Sequence, residues 1–370
     1  MSAGTDIYTA TIRRLLEPIG AFLEDESVSE VLINGPSEIY VERRGRLERS
    51  DASFASADDL EAAARAIAQY VSKRLTPEEV SMEARLPDGS RVHIVQTPAA
   101  RNGLCISVRK FARSRLRIEG LVASGSLTAE AAEFLAIAVA LKKNVIVSGG
   151  TGSGKTTLLN CLSGAIGSDE RIIVIEDSSE LQFQQPHVVG FEAKAPGRNG
   201  RGGASIRDLF RASLRMRPDR IVVGECRGGE ALDMIQAMTS GHAGSLSTCH
   251  ANTPMDALRR LETMALMSGV EIPLHALRSQ VASAIDLIVQ IERRADGVRR
   301  ITQITEVAQE GEGSAIDYRC HDLFVLAPSP DGTGESLAHT GHRPSFSAEP
   351  GRYGMADRIS VSRACWLAGN

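Results

Sequence analysis

At 370 residues the chain exceeds one ordinary compact domain and predicts two. Its 42% hydrophobic and 24% charged residues fit a globular protein, and a net charge of −4 excludes the strongly basic balance of a nucleic-acid-coating protein. Aromatic residues make up only 4%, which argues against stacking platforms for single-stranded nucleic acid.

Residues 5–24 place Ile7, Ile12, Leu15, Leu16, Ile19 and Leu23 at helical spacing, with Pro18 set to kink or break the helix. VSEVLING and SEIYVERRGRLE read as two strands, the first ending in Asn34-Gly35-Pro36 and the second turning at Gly45. Residues 57–73 form an amphipathic helix with Asp58 and Asp59 near its positive end. LPDGSRVHIVQT and LCISVRKF read as two further strands, with a turn at Asp88-Gly89. Residues 1–111 are therefore expected to form a small α+β domain.

Residues 112–127, basic and then small and polar, read as a linker. After a helix at 128–141 the pattern changes. The apolar runs NVIVSG, RIIVIED, RIVVGE and GSLSTCHA alternate with the helical segments TTLLNCLSGAIG, SIRDLFRASLRM, EALDMIQAMTSG and MDALRRLETMAL. Strands that are apolar on both faces need helices on both faces. Residues 128–310 are thus expected to be an α/β domain with a parallel sheet. Glycine, proline and serine cluster in APSPDGTGES and TGHRPSFSAEPGRYG, so 311–370 reads as a small appendage or tail.

The six cysteines include no C-x-x-C pair, so their spacing predicts no zinc site, and they read as reduced, buried small side chains. No basic start followed by an apolar run announces a signal peptide, and the apolar stretch 134–141 is far too short to cross a bilayer. The expected location is cytoplasmic, with any work at a membrane done through partners.

GGTGSGKTT, comprising Gly149, Gly150, Thr151, Gly152, Ser153, Gly154, Lys155, Thr156 and Thr157, fits the phosphate-loop pattern G-x-x-x-x-G-K-[ST]. Phosphates need many donors and no obstructing side chain, which glycine backbone supplies, and the following helix aims its N-terminal amides at the same anion. Lys155 is expected at the β- and γ-phosphates of ATP, and the Thr156 hydroxyl on Mg²⁺. Hydrolysis also needs carboxylates. Strand RIIVIEDSSE ends in Glu176, Asp177 and Glu180, and RIVVGE ends in Glu225. In a parallel sheet, strand carboxyl ends share the edge that carries the phosphate loop. These acids are therefore expected to converge on the nucleotide, where one carboxylate would hold Mg²⁺ with Thr156 and another would orient water. His242 and His250 flank the next strand, and a histidine beside a γ-phosphate can donate to it.

The ordered set GGTGSGKTT, IEDSSEL, LRMRPDRIVVGECRGGEALDM and GHAGSLSTCHAN resembles the type II/IV secretion ATPase superfamily, and within it the branch that powers tight-adherence (Tad) pili. VSEVLINGPSEIYVERRGRL and ARLPDGSRVHIV resemble that branch's N-terminal domain, so the likeness runs from about Val28 to Val307. The resemblance implies a RecA-like P-loop ATPase domain preceded by the α+β domain, ATP held between them, and a homo-hexameric ring. It places Glu180 in an acidic box, makes Glu225 the Walker B glutamate, puts His242 and His250 in a histidine box, and sends Arg91 and Arg109 of the N-terminal domain to the γ-phosphate. It implies inner-membrane platform proteins as partners, while the acidic balance and scarce aromatics predict no direct contact with nucleic acid. Thr239-Ser240 depart from the family's usual Asn-Thr, and the tetracysteine insert of the pilus-extension and type II branches is absent. The Arg/Gly-rich loop 194–203 is expected at the surface. The expected function is an ATP-hydrolysing motor for a Tad-type pilus or related secretion machine. The rivals are the ATPase of a DNA- or protein-exporting type IV secretion system, and a scaffold that binds ATP without turnover.

Overall fold

The computed structural model describes residues 3–367 apart from 44, 77, 112–115, 197–201, 295 and 330–333; the side chains of 3–8 and of 314 also fall outside the description. Two compact units divide the chain, Met1–Arg115 and Leu116–Asn370.

In the first unit, helices α1 (Ala3–Leu15) and α2 (Glu17–Glu24) meet where the sequence predicts a break, because Pro18 lies in the first turn of α2, where its missing N–H costs nothing. Ile12, Leu16 and Ile19 carry one buried stripe across the break. Strands β1 (Val28–Asn34), β2 (Ile39–Arg43) and β3 (Arg46–Arg49) follow, with Gly45 at φ +78° in the β2–β3 turn. Helix α3 (Ala57–Tyr70) starts at Ser56, whose hydroxyl accepts the Asp59 N–H, and buries Leu60, Ala63, Ala64 and Ile67 at helical spacing. Strands β4 (Ser81–Arg85), β5 (Arg91–Val95) and β6 (Cys105–Arg109) complete an antiparallel six-stranded sheet of order β3-β2-β1-β6-β5-β4. β4 was not expected from the sequence pattern: only Met82 of its five residues is buried, so its apolar alternation is faint.

The second unit begins inside the expected linker. Residues 112–115 lie outside the described residues, but α4 (Ile118–Ala123) is a helix, and Leu121 and Leu127 are buried in the unit's core. Helix α5 (Ala129–Ala140) is capped by Thr128, whose hydroxyl accepts the Ala131 N–H. Strand β7 (Val145–Ser148), helix α6 (Lys155–Ser163), strands β8 (Ile172–Glu176) and β9 (Val188–Glu192), helix α7 (Ile206–Ser213), strand β10 (Arg220–Val223), helix α8 (Glu230–Thr239), strand β11 (Leu246–Cys249) and helices α9 (Pro254–Leu266) and α10 (Leu274–Ala284) come next. Strands β12 (Leu287–Arg293) and β13 (Arg299–Glu310) then lead to β14 (Asp317–Pro328), β15 (Glu335–His339) and the short helices α11 (Glu349–Arg352) and α12 (Arg363–Trp366).

The sheet has nine strands in the order β15-β14-β13-β12-β7-β11-β10-β8-β9. The six from β12 to β9 run parallel, and β13, β14 and β15 add antiparallel. Neighbouring residues along each parallel strand enter opposite cores. Val145, Val147, Val174 and Val222 pack with α5 and α6, whereas Ile146, Ile173, Ile175 and Ile221 pack with α8, α9 and α10. This double covering is the α/β fold expected from the apolar runs.

The end of the chain differs from a loose tail. β14 and β15 extend the main sheet, and Phe346, Ile359, Cys365 and Trp366 join the core beneath α5. The Trp366 ring lies 5.0 Å from that of Phe134 on α5. Glu133, also on α5, accepts the backbone N–H groups of Ser360, Val361 and Ser362 and both serine hydroxyls. Those bonds hold its carboxyl down at about 2 against the opposing effect of burial. The glycines and prolines punctuate real strands and turns, and aromatic packing across 200 residues of chain supplies what local periodicity lacks.

Candidate functional site

β7 is buried at every residue and delivers the chain to the carboxyl edge of the parallel strands, where α6 begins at Lys155. Between them Gly152 (φ +70°) and Gly154 (φ +99°) hold left-handed backbone that side chains disfavour. Gly149 is required for space: a Cβ there would stand 2.6 Å from Ser153 Oγ and closer still to the Ile291 carbonyl. The product is a turn of bare backbone opening onto a helix N-terminus, a ready-made anion site. Thr156 is half-buried and Thr157 exposed in the first turn of α6. Beside the loop lies a cavity of about 390 Å³ lined by Gly150, Thr151, Ser153, Asn252, Gln290, Glu292 and Arg293.

Lys155 is buried, and its Nζ donates to the carbonyls of Gly149 (3.0 Å) and Gly150 (2.9 Å). It also lies 3.3 Å from His250 Nδ1, while His250 Nε2 lies 2.9 Å from Glu225 Oε1. An ammonium can only donate and a carboxylate only accept, so the imidazole is neutral with its proton on Nε2. Burial first, and then the Lys155 charge, hold the His250 pKa below its usual value against the pull of Glu225. The second Glu225 oxygen accepts from Arg227 (2.7 Å), which also donates to Asp177 (3.0 Å). Lys155, His250, Glu225 and Asp177 thus follow one another past the carboxyl ends of β7, β11, β10 and β8, in the order of the strands in the sheet.

Backbone contacts fix this edge. Thr248 donates its hydroxyl to the Gly224 carbonyl (2.7 Å), and the Cys226 N–H donates to Thr248 (3.1 Å), which holds the turn bearing Glu225. Glu176 is buried, and burial raises its pKa; its Oε1 accepts the N–H groups of Glu180 (2.8 Å) and Leu181 (2.9 Å). The Gln182 N–H donates to Asn160 of α6 (2.8 Å). Glu180 is thereby held near the site, and its charge contributes to raising the Arg227 pKa, after the leading effect of the Glu225 bond.

Within the chain His242 is not part of this cluster. β11 runs parallel to β7, so its amino end, which His242 precedes, is at the opposite edge. The four residues of β11 alone separate the edges by roughly 13 Å. His242 instead closes the α8–β11 turn, its N–H donating to Ala237 and its carbonyl accepting from Ser245. Flanking one strand therefore puts two residues at opposite ends of it. This corrects the expectation of paired histidines.

Arg91 and Arg109 belong to the first unit, where they are direct cross-strand partners on β5 and β6. That register gives them a common face of the sheet. Part of the loop 194–203, residues 197–201, lies outside the described residues. Two contributors escaped the sequence reading. Arg227, inside the quoted GECRGG, was visible as a cation two residues after Glu225. Arg299, whose Nε donates to the Gly152 carbonyl (3.0 Å), comes from β13 and had no local signal.

The fold and the loop define the class: a doubly covered parallel-sheet domain with a glycine-rich strand–turn–helix at its carboxyl edge. The chain belongs to the type II/IV secretion system protein family, whose model matches residues 14–322. A Mycobacterium tuberculosis protein named for conjugal transfer is 35% identical over 309 residues, 82% of this chain and 86% of its own length. The type IV secretion system protein PtlH of Bordetella pertussis is 37% identical over 310 residues, covering 77% of this chain and 91% of its own. The X-ray structure of the Legionella pneumophila ATPase DotB matches 80% of this chain and 81% of its own at a TM-score of 0.57 and 20% identity, a likeness of fold. Among the described residues no helix is long and apolar enough to cross a membrane.

Proposed function

We propose that the protein is an ATP-hydrolysing motor of a secretion or pilus machine. The observation that carries this reading is the contact series from Lys155 through His250 to Glu225 at a loop where Gly149 leaves no room for a Cβ and Gly152 and Gly154 hold left-handed backbone. Lys155 rests on the loop's own carbonyls, and an incoming triphosphate would draw that ammonium to itself. Residues 149–157 bind ATP; Thr156, Glu180 and Glu225 would hold Mg²⁺, which would supply neutralisation of phosphate charge. Glu225 orients and deprotonates the attacking water, with His250 as its neutral hydrogen-bonding partner. Arg91 and Arg109, side by side on the first unit, serve as the phosphate-sensing cations that couple turnover to domain closure. The family resemblance supports this role, as it supports a hexameric ring in the cytoplasm working on inner-membrane platform proteins.

The machine driven is a tight-adherence-type pilus or a related secretion system. The names of the relatives, conjugal transfer and type IV secretion, favour an exporter of DNA or protein over the pilus. Phosphate release by purified protein tests the activity: Glu225→Gln should lower turnover on the order of 10²-fold or more with nucleotide binding retained. Full turnover in Glu225→Gln or Lys155→Ala would end the reading. Gene deletion, scored for surface pili against export, separates the two machines.

A further inference from the structure

Well away from the phosphate loop, three metal-ligating side chains converge in the C-terminal part of the second unit. Glu130 of α5, His339 of β15 and Cys365 of α12 each place a ligand atom within 4.8 Å of the other two. We propose that Glu130, His339 and Cys365 form a site for a thiophilic divalent cation of the zinc class, which clasps the end of the chain onto α5.

The donor set decides the metal class. One thiolate, one imidazole and one carboxylate suit Zn²⁺ and are foreign to Mg²⁺, which takes oxygen ligands. In an occupied tetrahedral site such atoms stand ~3.5 Å apart, so side-chain adjustments of about 1 Å close the triangle. Water or a fourth group would complete the coordination.

Each ligand rides on an element that is independently fixed. α5 is buried across most of its length in the core of the unit. β15 pairs with β14, with His339 opposite Phe324. Trp366, next to Cys365, stacks on Phe134, and the segment leading into α12 is gripped by Glu133. The imidazole is oriented as metal-bound histidines are: Nε2 lies 3.0 Å from the His342 carbonyl, and Nδ1 accepts the Gly341 N–H at 3.3 Å. That tautomer leaves the only ring lone pair on Nδ1, so a cation would replace the long Gly341 contact there while Nε2–H keeps the His342 carbonyl as its second partner.

The Cys365 thiol sits in the core beneath α5, beside Glu130. Burial, reinforced by Glu130, pushes its pKa up to about 12, so without a cation it stays protonated beside a carboxylate. His339 and Cys365 both lie beyond residue 322, where the family match ends. Two of the three ligands therefore belong to the part of the chain beyond the family match, and Glu130 lies within the match.

The test uses full-length protein, stripped with chelator and titrated with Co²⁺. One equivalent should give thiolate-to-cobalt absorption in the near ultraviolet and visible bands of tetrahedral intensity, both displaced by Zn²⁺. Zn²⁺ should also raise the thermal midpoint. Cys365→Ser should abolish the thiolate band, His339→Gln should weaken Zn²⁺ binding at least ~10-fold, and Cys320→Ser should change neither. If Cys365→Ser does not fold, Glu130→Gln supplies the affinity comparison. Absence of the band in the wild type, its survival in Cys365→Ser, or unchanged affinity in the other two variants would overturn the proposal.

Discussion

Replacing Glu170 by Gln probes how the amino edge of the parallel sheet is held. Arg220, the first residue of β10, is wholly buried. Its guanidinium donates to both Glu170 oxygens (2.7 and 3.1 Å), to the Val139 carbonyl of α5 (2.8 Å) and to the Gly244 carbonyl ahead of β11 (3.2 Å). One cation thereby ties together helix, sheet and turn, with Glu170 as its counter-charge. Burial works to raise the Glu170 pKa, but the bonds and charge of Arg220, helped by Lys142, bring it from 4.5 down to about 2. That depression corresponds to ~3 kcal/mol of stability. Stripping one partner from a buried pair typically costs about 3–5 kcal/mol, so the two routes agree. For a unit of this size the thermal midpoint should fall by roughly 6–12 °C, read by calorimetry at neutral pH. Because the folded pKa is depressed, the contribution is complete above 4.5 and is lost as pH falls through about 2. Wild type should therefore lose more stability than the variant across that interval. Adding Arg220→Met to Glu170→Gln should recover part of the loss, since an unpaired buried charge is its main source. A single variant within about 1 kcal/mol of wild type, or a double variant as costly as two independent losses, would refute the argument.

Gly149→Ala should reduce nucleotide affinity severely, because the new Cβ has no room beside Ser153 Oγ and the Ile291 carbonyl, and β12 must shift to admit it; equilibrium binding of a fluorescent nucleotide reads this, with Gly20→Ala, where a Cβ meets nothing, as the control. Folding depresses the His250 pKa below 6.5, so the neutral imidazole's contribution is present above that value and lost as pH falls beneath it. Chemical denaturation just below pH 6.5 should show this slope, and His250→Gln should flatten it. Trp366→Ala should cost about 3–5 kcal/mol by emptying the space against Phe134, measured by denaturant midpoint; a near-silent result would mean that the extension does not pack on α5 in solution.

Much of the edge chemistry was legible in the sequence. The loop's turn reads directly because left-handed backbone and a close approach call for glycine, and the acids at the ends of β8 and β10 read because apolar runs mark buried parallel strands. His242 misled because a motif records spacing along the chain, whereas opposite ends of a strand face opposite edges. Arg299 and Arg220 had no readable signal: one is a cation on a distant strand, the other a charge buried where an apolar run should begin.

The sequence by itself determined the alternation of strand and helix, the two units and the glycine turn, because these follow from local periodicity and backbone freedom. Only the tertiary structure decided that Lys155, His250 and Glu225 touch, that residues after 311 complete the sheet and core, and that Glu130, His339 and Cys365 meet. Those contacts join positions up to more than 200 residues apart, and no local preference encodes a distance that packing of the whole sheet must set.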